Sequence, residues 1–237
     1  VPDYSRWQLV ERRLVNPGSV GDPCFHIDLV PIDAELPVWQ AGDIVEIGPQ
    51  QAPAEVESWM LSRGLDGGAS VLSNGRQESL RTVAARSSLV LDSSEREPQK
   101  LADLLVRLPH RDYSIASIPA DGRIELLLRQ WRRSDGSLGL GTGWLTEHSR
   151  LGDEISVRIR ANNGFHVPKV DRPLLLIGNG TGIASLRALL KQRALQNRKR
   201  NWLIFGERNA DRDFHYRDEI LAWQKRGMIS RLDLAFS

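Results

Sequence analysis

Apolar and polar residues alternate over short stretches in the first two thirds of this chain, and run together in the last third. Residues 6–49 read as β-structure. Trp7-Gln8-Leu9-Val10 precedes the turn signal Asn16-Pro17-Gly18, and residues 24–30 alternate as a half-buried strand should. Gln40-Ala41-Gly42-Asp43 turns into Ile44-Val45-Glu46-Ile47-Gly48. Short strands with Gly and Pro punctuation predict a barrel or sandwich. Val56, Trp59 and Met60 share a helical face, which predicts a helix over 54–63. The Gly-rich stretch 65–74 reads as a loop, and 101–106 as a helical turn or two. Strand character returns at 112–118. The turn signal Pro119-Ala120-Asp121-Gly122 then predicts a hairpin with 123–131 as its return strand. A Gly-rich loop over 134–143 leads into a helix over 142–148, and 156–160 is a last alternating strand.

The pattern changes at Pro173. Leu174-Leu175-Leu176-Ile177 is a continuous apolar run, as in a strand covered on both faces. It enters Gly178-Asn179-Gly180-Thr181-Gly182 and a helix over 184–196. Trp202-Leu203-Ile204-Phe205 is a second apolar strand, 213–226 a second helix, and Leu232-Asp233-Leu234-Ala235-Phe236 begins a third strand. Alternating strands and helices predict a parallel sheet. The expected fold class is β plus α/β, divided near Asp171 into units 1–170 and 171–237, with a short helical insertion at about 52–105. A three-stranded parallel sheet ending in a strand suggests a fragment cut at its C-terminus.

Composition narrows the function classes. The chain has 237 residues with 41% hydrophobic and 26% charged, an ordinary globular balance. A formal net charge of +2 argues against nucleic-acid binding. Arg far outnumbers Lys, which suits oxyanions. Cys24 is the single cysteine, so an intrachain disulfide and a Cys-based metal cluster are excluded, and a reducing compartment is the simpler reading. The histidines His26, His110, His148, His166 and His215 have no metal-ligand spacing, so no metal is expected. No apolar run reaches membrane-span length and no signal pattern is visible.

Candidate chemistry centres on Arg111-Asp112-Tyr113-Ser114-Ile115-Ala116-Ser117. In a strand, Arg111, Tyr113 and Ile115 share one face, opposite Asp112, Ser114 and Ala116. Arg111 offers a two-point fork for a diphosphate and Tyr113 a plane for an aromatic ligand. Read alone, the run fits an ordinary strand better, with Tyr113 in the core and Arg111 solvated. Gly139-Leu140-Gly141-Thr142-Gly143 before a helix suits a pyrophosphate, or is a flexible connection with an N-cap. Gly178 to Ala184 is a Gly-rich strand-to-helix turn after an apolar strand, where open α/β sheets bind nucleotides. It lacks P-loop spacing and its Lys, so a dinucleotide fits better than ATP. Arg208, in Phe205-Gly206-Glu207-Arg208, faces a phosphate on the same rim or is a solvated loop residue.

Together these motifs resemble the ferredoxin–NADP reductase superfamily, in its diflavin branch of sulfite reductase flavoprotein subunits and NADPH–haemoprotein reductases. The resemblance implies an antiparallel β-barrel that binds FAD, followed by an incomplete parallel-sheet α/β unit that binds NADP(H). It implies that Arg111 and Asp112 belong to the FAD site, that Tyr113 stacks on the isoalloxazine, and that Ser114 lies near the flavin nitrogen receiving hydride. Leu126 and Leu127 would touch FAD through their backbone, and Trp131 stands where the family usually has Tyr. Gly139, Leu140, Gly141 and Thr142 match the second pyrophosphate loop. Gly178, Gly180, Thr181 and Gly182 match the NADP loop, with Asn179 and Ser185 replacing prolines. Arg208 matches a phosphate-proximal Arg, and Ser237 the first residue of the 2′-phosphate site.

The implied activity is hydride transfer from NADPH to FAD, with electrons passed on to FMN in a missing or partner flavodoxin-like domain, or to a haem or sirohaem protein. The implied location is the cytoplasm, or the cytoplasmic face of a membrane in a parent protein. A single-flavin ferredoxin or flavodoxin reductase and a flavin-free NADPH-binding module remain alternatives at this stage.

Overall fold

The computed structural model describes residues 4–33 and 35–237. In chain order its elements are β1 (Ser5–Leu14), β2 (Cys24–Pro31), β3 (Ile44–Gly48), α1 (Pro53–Arg63), β4 (Ser70–Ser73), β5 (Arg76–Ser79), α2 (Leu80–Ala85) and α3 (Pro98–Leu104). Then come β6 (Arg111–Ser114), β7 (Ile124–Arg129), α4 (Leu140–Gly143), which continues as a π-helical turn over Trp144–His148, and β8 (Glu154–Arg160). The last part holds β9 (Leu174–Asn179), α5 (Ile183–Leu195), β10 (Asn201–Glu207), α6 (Arg217–Lys225) and β11 (Arg231–Phe236).

The first unit is a six-stranded antiparallel sheet in the order β6-β3-β8-β1-β2-β7. It curls until its edge strands meet. The Ala116 N–H donates to Glu125 O at 2.8 Å, and the Glu125 N–H to Ser117 Oγ at 2.9 Å. These few bonds join the edges without a continuous ladder. The expected hairpin of 112–118 with 123–131 is therefore corrected: β7 pairs with β2, and the turn at Pro119–Asp121 carries the chain between opposite edges.

Two faces of the same strands explain the alternation. Ile27 and Leu29 of β2 and Ile124, Leu126 and Leu128 of β7 fill the core of the sheet with Trp7, Val45 and Ile155. The residues between them point the other way. Cys24 and Leu127 join a second core with Leu176, Leu186, Leu203, Phe205, Ile220 and Trp223 of the α/β unit. His26, Asp28 and Glu125 on that face are buried although polar. Arg187 from α5 meets them, bonding Glu125, Glu219 and, at 2.8 Å, Ala116 O.

The insertion has its own small core of Val56, Met60, Val71, Leu80, Val83 and Leu101. The stretch 65–74 is not all loop. Ser70–Ser73 pairs with Arg76–Ser79 through Asn74 (φ 49°) and Gly75 (φ 76°), a two-residue turn with both residues left-handed.

The α/β unit is a parallel sheet ordered β11-β10-β9. Both helices pack on the face of Leu176, Leu203 and Phe205. Leu175 (52%) and Ile177 (65%) are exposed on the other face, so the expectation that 174–177 is covered on both faces fails among the described residues. The second helix starts four residues later than expected. Asp213 and His215 are buried in the preceding turn, and Tyr216 caps the helix at φ 56°. No described helix is long and apolar enough to cross a membrane.

Candidate functional site

The Arg-x-Tyr-Ser strand and the Gly-rich loop that follows β7 are pressed together at one glycine. A Cβ on Gly141 would lie 2.3 Å from Tyr113 Oη and 2.8 Å from Arg111 Cγ. Only glycine fits that approach. Gly139 is also tight, though less so, with a Cβ position 2.8 Å from Trp131 Cε3, and its N–H donates to Trp131 O at 2.8 Å. Thr142 Oγ1 sits beside both, accepting weakly from the Trp131 N–H at 3.4 Å. The structure thus brings Arg111, Tyr113, Trp131, Gly139, Leu140, Gly141 and Thr142 into one neighbourhood.

Within it, the side chains differ in readiness. Among the described residues the Arg111 guanidinium donates only to the backbone carbonyls of Pro109 (3.1 Å) and His110 (2.9 Å) and meets no carboxylate, which leaves its charge for an oxyanion. Tyr113 is largely buried, and burial raises its hydroxyl far above the usual range, so it stays protonated. Trp131 is 57% exposed, an unusual setting for the largest apolar side chain. Ser114 is exposed. Asp112 points to the outer face and is held by Arg160 at 2.7 Å, away from this neighbourhood. Leu126 and Leu127 are buried by their side chains, one in each core, and β7 is a sheet edge whose other side is mostly unpaired backbone.

The second neighbourhood is a cleft of about 550 Å³ at the carboxyl ends of β9, β10 and β11. Gly180, Thr181, Arg208 and Ser237 line it together, although they are scattered in sequence. Gly178 and Gly182 flank it. A Cβ on Gly178 would strike Leu186 Cδ1 at 2.7 Å, so this glycine lets α5 pack on its strand. Gly180 has φ +55°, and a Cβ there would meet Glu207 Oε1 at 3.1 Å. A 3₁₀ turn over Gly180–Gly182 leads straight into α5, so the Ile183 N–H is taken by Gly180 O, and neither the turn nor the helix has a side-chain cap.

Two residues that line this cleft and one behind it were not singled out in the sequence. Arg129, the last residue of β7, reaches across from the antiparallel sheet and forms an ion pair with Glu207. Glu207 Oε2 accepts the Arg208 N–H at 2.7 Å. His215 lies behind them with its Nε2 3.8 Å from Glu207 Oε1. Arg129 carried a faint signal, as a charged end to an apolar run; Glu207 and His215 carried none.

Two carboxylate clusters also gather histidines the sequence kept apart: His26, Asp28 and Glu125, and Glu46, His110 and Asp112. Each is already neutralised by arginines: Arg123 and Arg187 in the first, Arg158 and Arg160 in the second.

Residues 176–232 match the family described as the oxidoreductase NAD-binding domain. The flavoprotein alpha-component of NADPH sulfite reductase from Vibrio parahaemolyticus is 34% identical over 172 residues, covering 68% of this chain and 28% of that protein. The same component from Aliivibrio fischeri is 29% identical over 241 residues, covering 97% of this chain and 39% of the relative. The chain therefore spans well under half the length of these relatives. Among solved structures, ferredoxin–NADP+ reductase from Plasmodium falciparum with 2′P-AMP superposes with a TM-score of 0.63 at 15% identity, over 99% of this chain and 73% of that one. This likeness is one of fold.

Proposed function

We propose, from the premise that this chain is a ferredoxin–NADP reductase superfamily member on the side of the sulfite reductase flavoproteins, that it is the FAD- and NADPH-binding part of a reductase. Residues 1–170 form the flavin unit and 171–237 the nucleotide unit. Electrons would leave for a flavodoxin-like FMN domain or a haem or sirohaem protein. The observation that carries this reading is the end of β7. Arg129 lies in the nucleotide cleft, and two residues later Trp131 packs on Gly139 of the flavin loop. One strand end therefore borders both candidate coenzyme sites.

The residues present fit both groups. Arg111 would hold the FAD diphosphate, the loop Gly139–Thr142 would approach it without side-chain obstruction, and Tyr113 and Trp131 would supply apolar planes. Leu126 and Leu127 would contact it through backbone. Ser114, exposed at the end of β6, would lie near the reacting ring and take the catalytic role. Gly178, Gly180, Thr181 and Gly182 would cradle the NADPH diphosphate, with Arg208 and Arg129 as cations and Ser237 at the cleft's outer end. When bound, the flavin supplies the change from two-electron to one-electron chemistry; the protein supplies position and electrostatics. Asp112, tied to Arg160, supports the strand from outside and is withdrawn from direct contact.

The test is anaerobic addition of NADPH to the FAD-loaded chain. Bleaching of the visible flavin absorbance is expected. Flavin that binds but is never reduced, at saturating NADPH, contradicts the reductase reading and favours a single-ligand module.

A further inference from the structure

The nucleotide cleft has a charge built into its floor where an anionic ligand would need none. Glu207 has a side chain only 6% exposed, and its Oε1 sits over Gly180, paired with Arg129. A diphosphate drawn to Gly180 competes with that carboxylate for the Arg129 guanidinium. Once Arg129 turns to the ligand, Oε2 keeps the Arg208 N–H at 2.7 Å, but Oε1 is left buried without a cation. Leaving a buried carboxylate unpaired is strongly unfavourable.

One group stands ready to take it. His215 is 1% exposed, and neither ring nitrogen has a hydrogen-bond partner among the described residues. Buried polar atoms are rarely left so. Its Nε2 is 3.8 Å from Glu207 Oε1, too long for a hydrogen bond and short enough to close with a rotamer adjustment. The ring is held edge-on to Phe205 at 6.4 Å between centroids. The charged and titratable groups facing it are Arg129 from β7, Glu207 from β10, Asp213 from its own turn and, near these, the Cys24 thiol from β2. Asp213 is engaged by Asn16 at 3.0 Å and Ser19 at 2.9 Å, so it does not compete for the ring. Burial holds the imidazole below its ordinary range, with Glu207 opposing this and Arg129 adding to it.

We propose that His215 is a positioning residue that takes a proton and donates its Nε2–H to Glu207 when an anionic dinucleotide takes Arg129, so that nucleotide binding is linked to uptake of one proton from solvent. This rests on the reading of the cleft as a nucleotide site. Removing Arg129's positive charge from the neighbourhood while keeping Glu207 favours the imidazolium. Affinity is then highest at low pH and falls as pH rises from the free-state to the bound-state His215 value. The fall is about tenfold for each unit by which binding raises that value.

The probe is NAD+, whose diester diphosphate does not titrate, unlike a 2′-phosphate with a pKa near 6. Calorimetric titration of the whole chain in buffers of different ionisation enthalpy reads protons taken up. Uptake approaching about one proton per NAD+ in the wild type, and none in His215→Gln, is expected. Ring-carbon NMR of wild-type His215 gives an independent reading should the variant not fold: imidazolium shifts on saturation support the linkage. Binding with no proton uptake, or uptake unchanged in His215→Gln, or a ring that stays neutral, overturns this inference and leaves the nucleotide site standing. No NAD+ or NADPH binding at millimolar concentration overturns both.

Discussion

Arg129 and Glu207 are joined in an ion pair that ties the end of β7 in the antiparallel sheet to the end of β10 in the parallel one. Glu207 is nearly buried (6% exposed) and Arg129 is partly so (27%). Arg129→Met removes that cation, leaves only the Arg208 N–H and a protonated His215 to the buried carboxylate, and should cost about 1–3 kcal/mol. Glu207→Gln leaves an arginine that can reach water along its apolar stem, and should cost less. Urea unfolding of the two variants checks the order; equal costs would mean that Glu207 is more solvated than the structure has it.

Gly141→Ala should damage both stability and flavin uptake. The new methyl group would overlap Tyr113 Oη at 2.3 Å and Arg111 Cγ at 2.8 Å. Overpacking of this size costs about 1–3 kcal/mol. Thermal melts with and without FAD separate the two effects. A variant that melts like wild type would place the loop farther from the strand than it stands here.

Acid stability has an identifiable source in Asp43. Burial pushes its carboxyl up, but the His166 ring and the backbone N–H groups of Gln40 and Asn162 outweigh that and hold it below the usual range. The bonds measure 2.6, 2.8 and 2.9 Å. A depressed folded-state value means the stabilisation is present above the unfolded pKa, about 3.9. It is lost as pH falls through the folded value. Asp43→Asn should lower stability at pH 7 by about 1–3 kcal/mol and flatten the acid limb below about pH 4. An acid limb identical in mutant and wild type would assign it to other carboxylates, with Asp28 the next to examine.

How far the sequence could be read follows from which interactions are local. The Gly178–Gly182 turn and the Arg111–Ser114 strand were legible because their chemistry lies in consecutive residues. The β4–β5 hairpin was signalled by Asn74-Gly75 but was masked by the glycines of 65–74. The edge role of β6 and β7 was not legible: a Pro-Ala-Asp-Gly turn normally closes a hairpin, and only the curl of the whole sheet sends β7 to β2. Nor could His26, Asp28 and Glu125 be told from solvent-facing polar positions. Their partners lie far off in sequence: Arg187 bonds Glu125 from 62 residues away, and Tyr216 meets the His26 ring from 190 residues away. Arg129, Glu207 and His215 likewise gain meaning only when β7 and β10 are brought end to end.

The account's central claim is that a flavin binds where Arg111, Tyr113 and the Gly139–Thr142 loop converge. Fluorescence titration of the whole chain with FAD tests it most directly. The prediction is quenched flavin emission at saturation for the wild type, with Arg111→Ala raising the dissociation constant about ten- to a hundredfold, since hydrogen bonds to charged groups contribute about 1.5–3 kcal/mol. Emission that stays that of free FAD, or an Arg111→Ala curve that overlays the wild type, would contradict it.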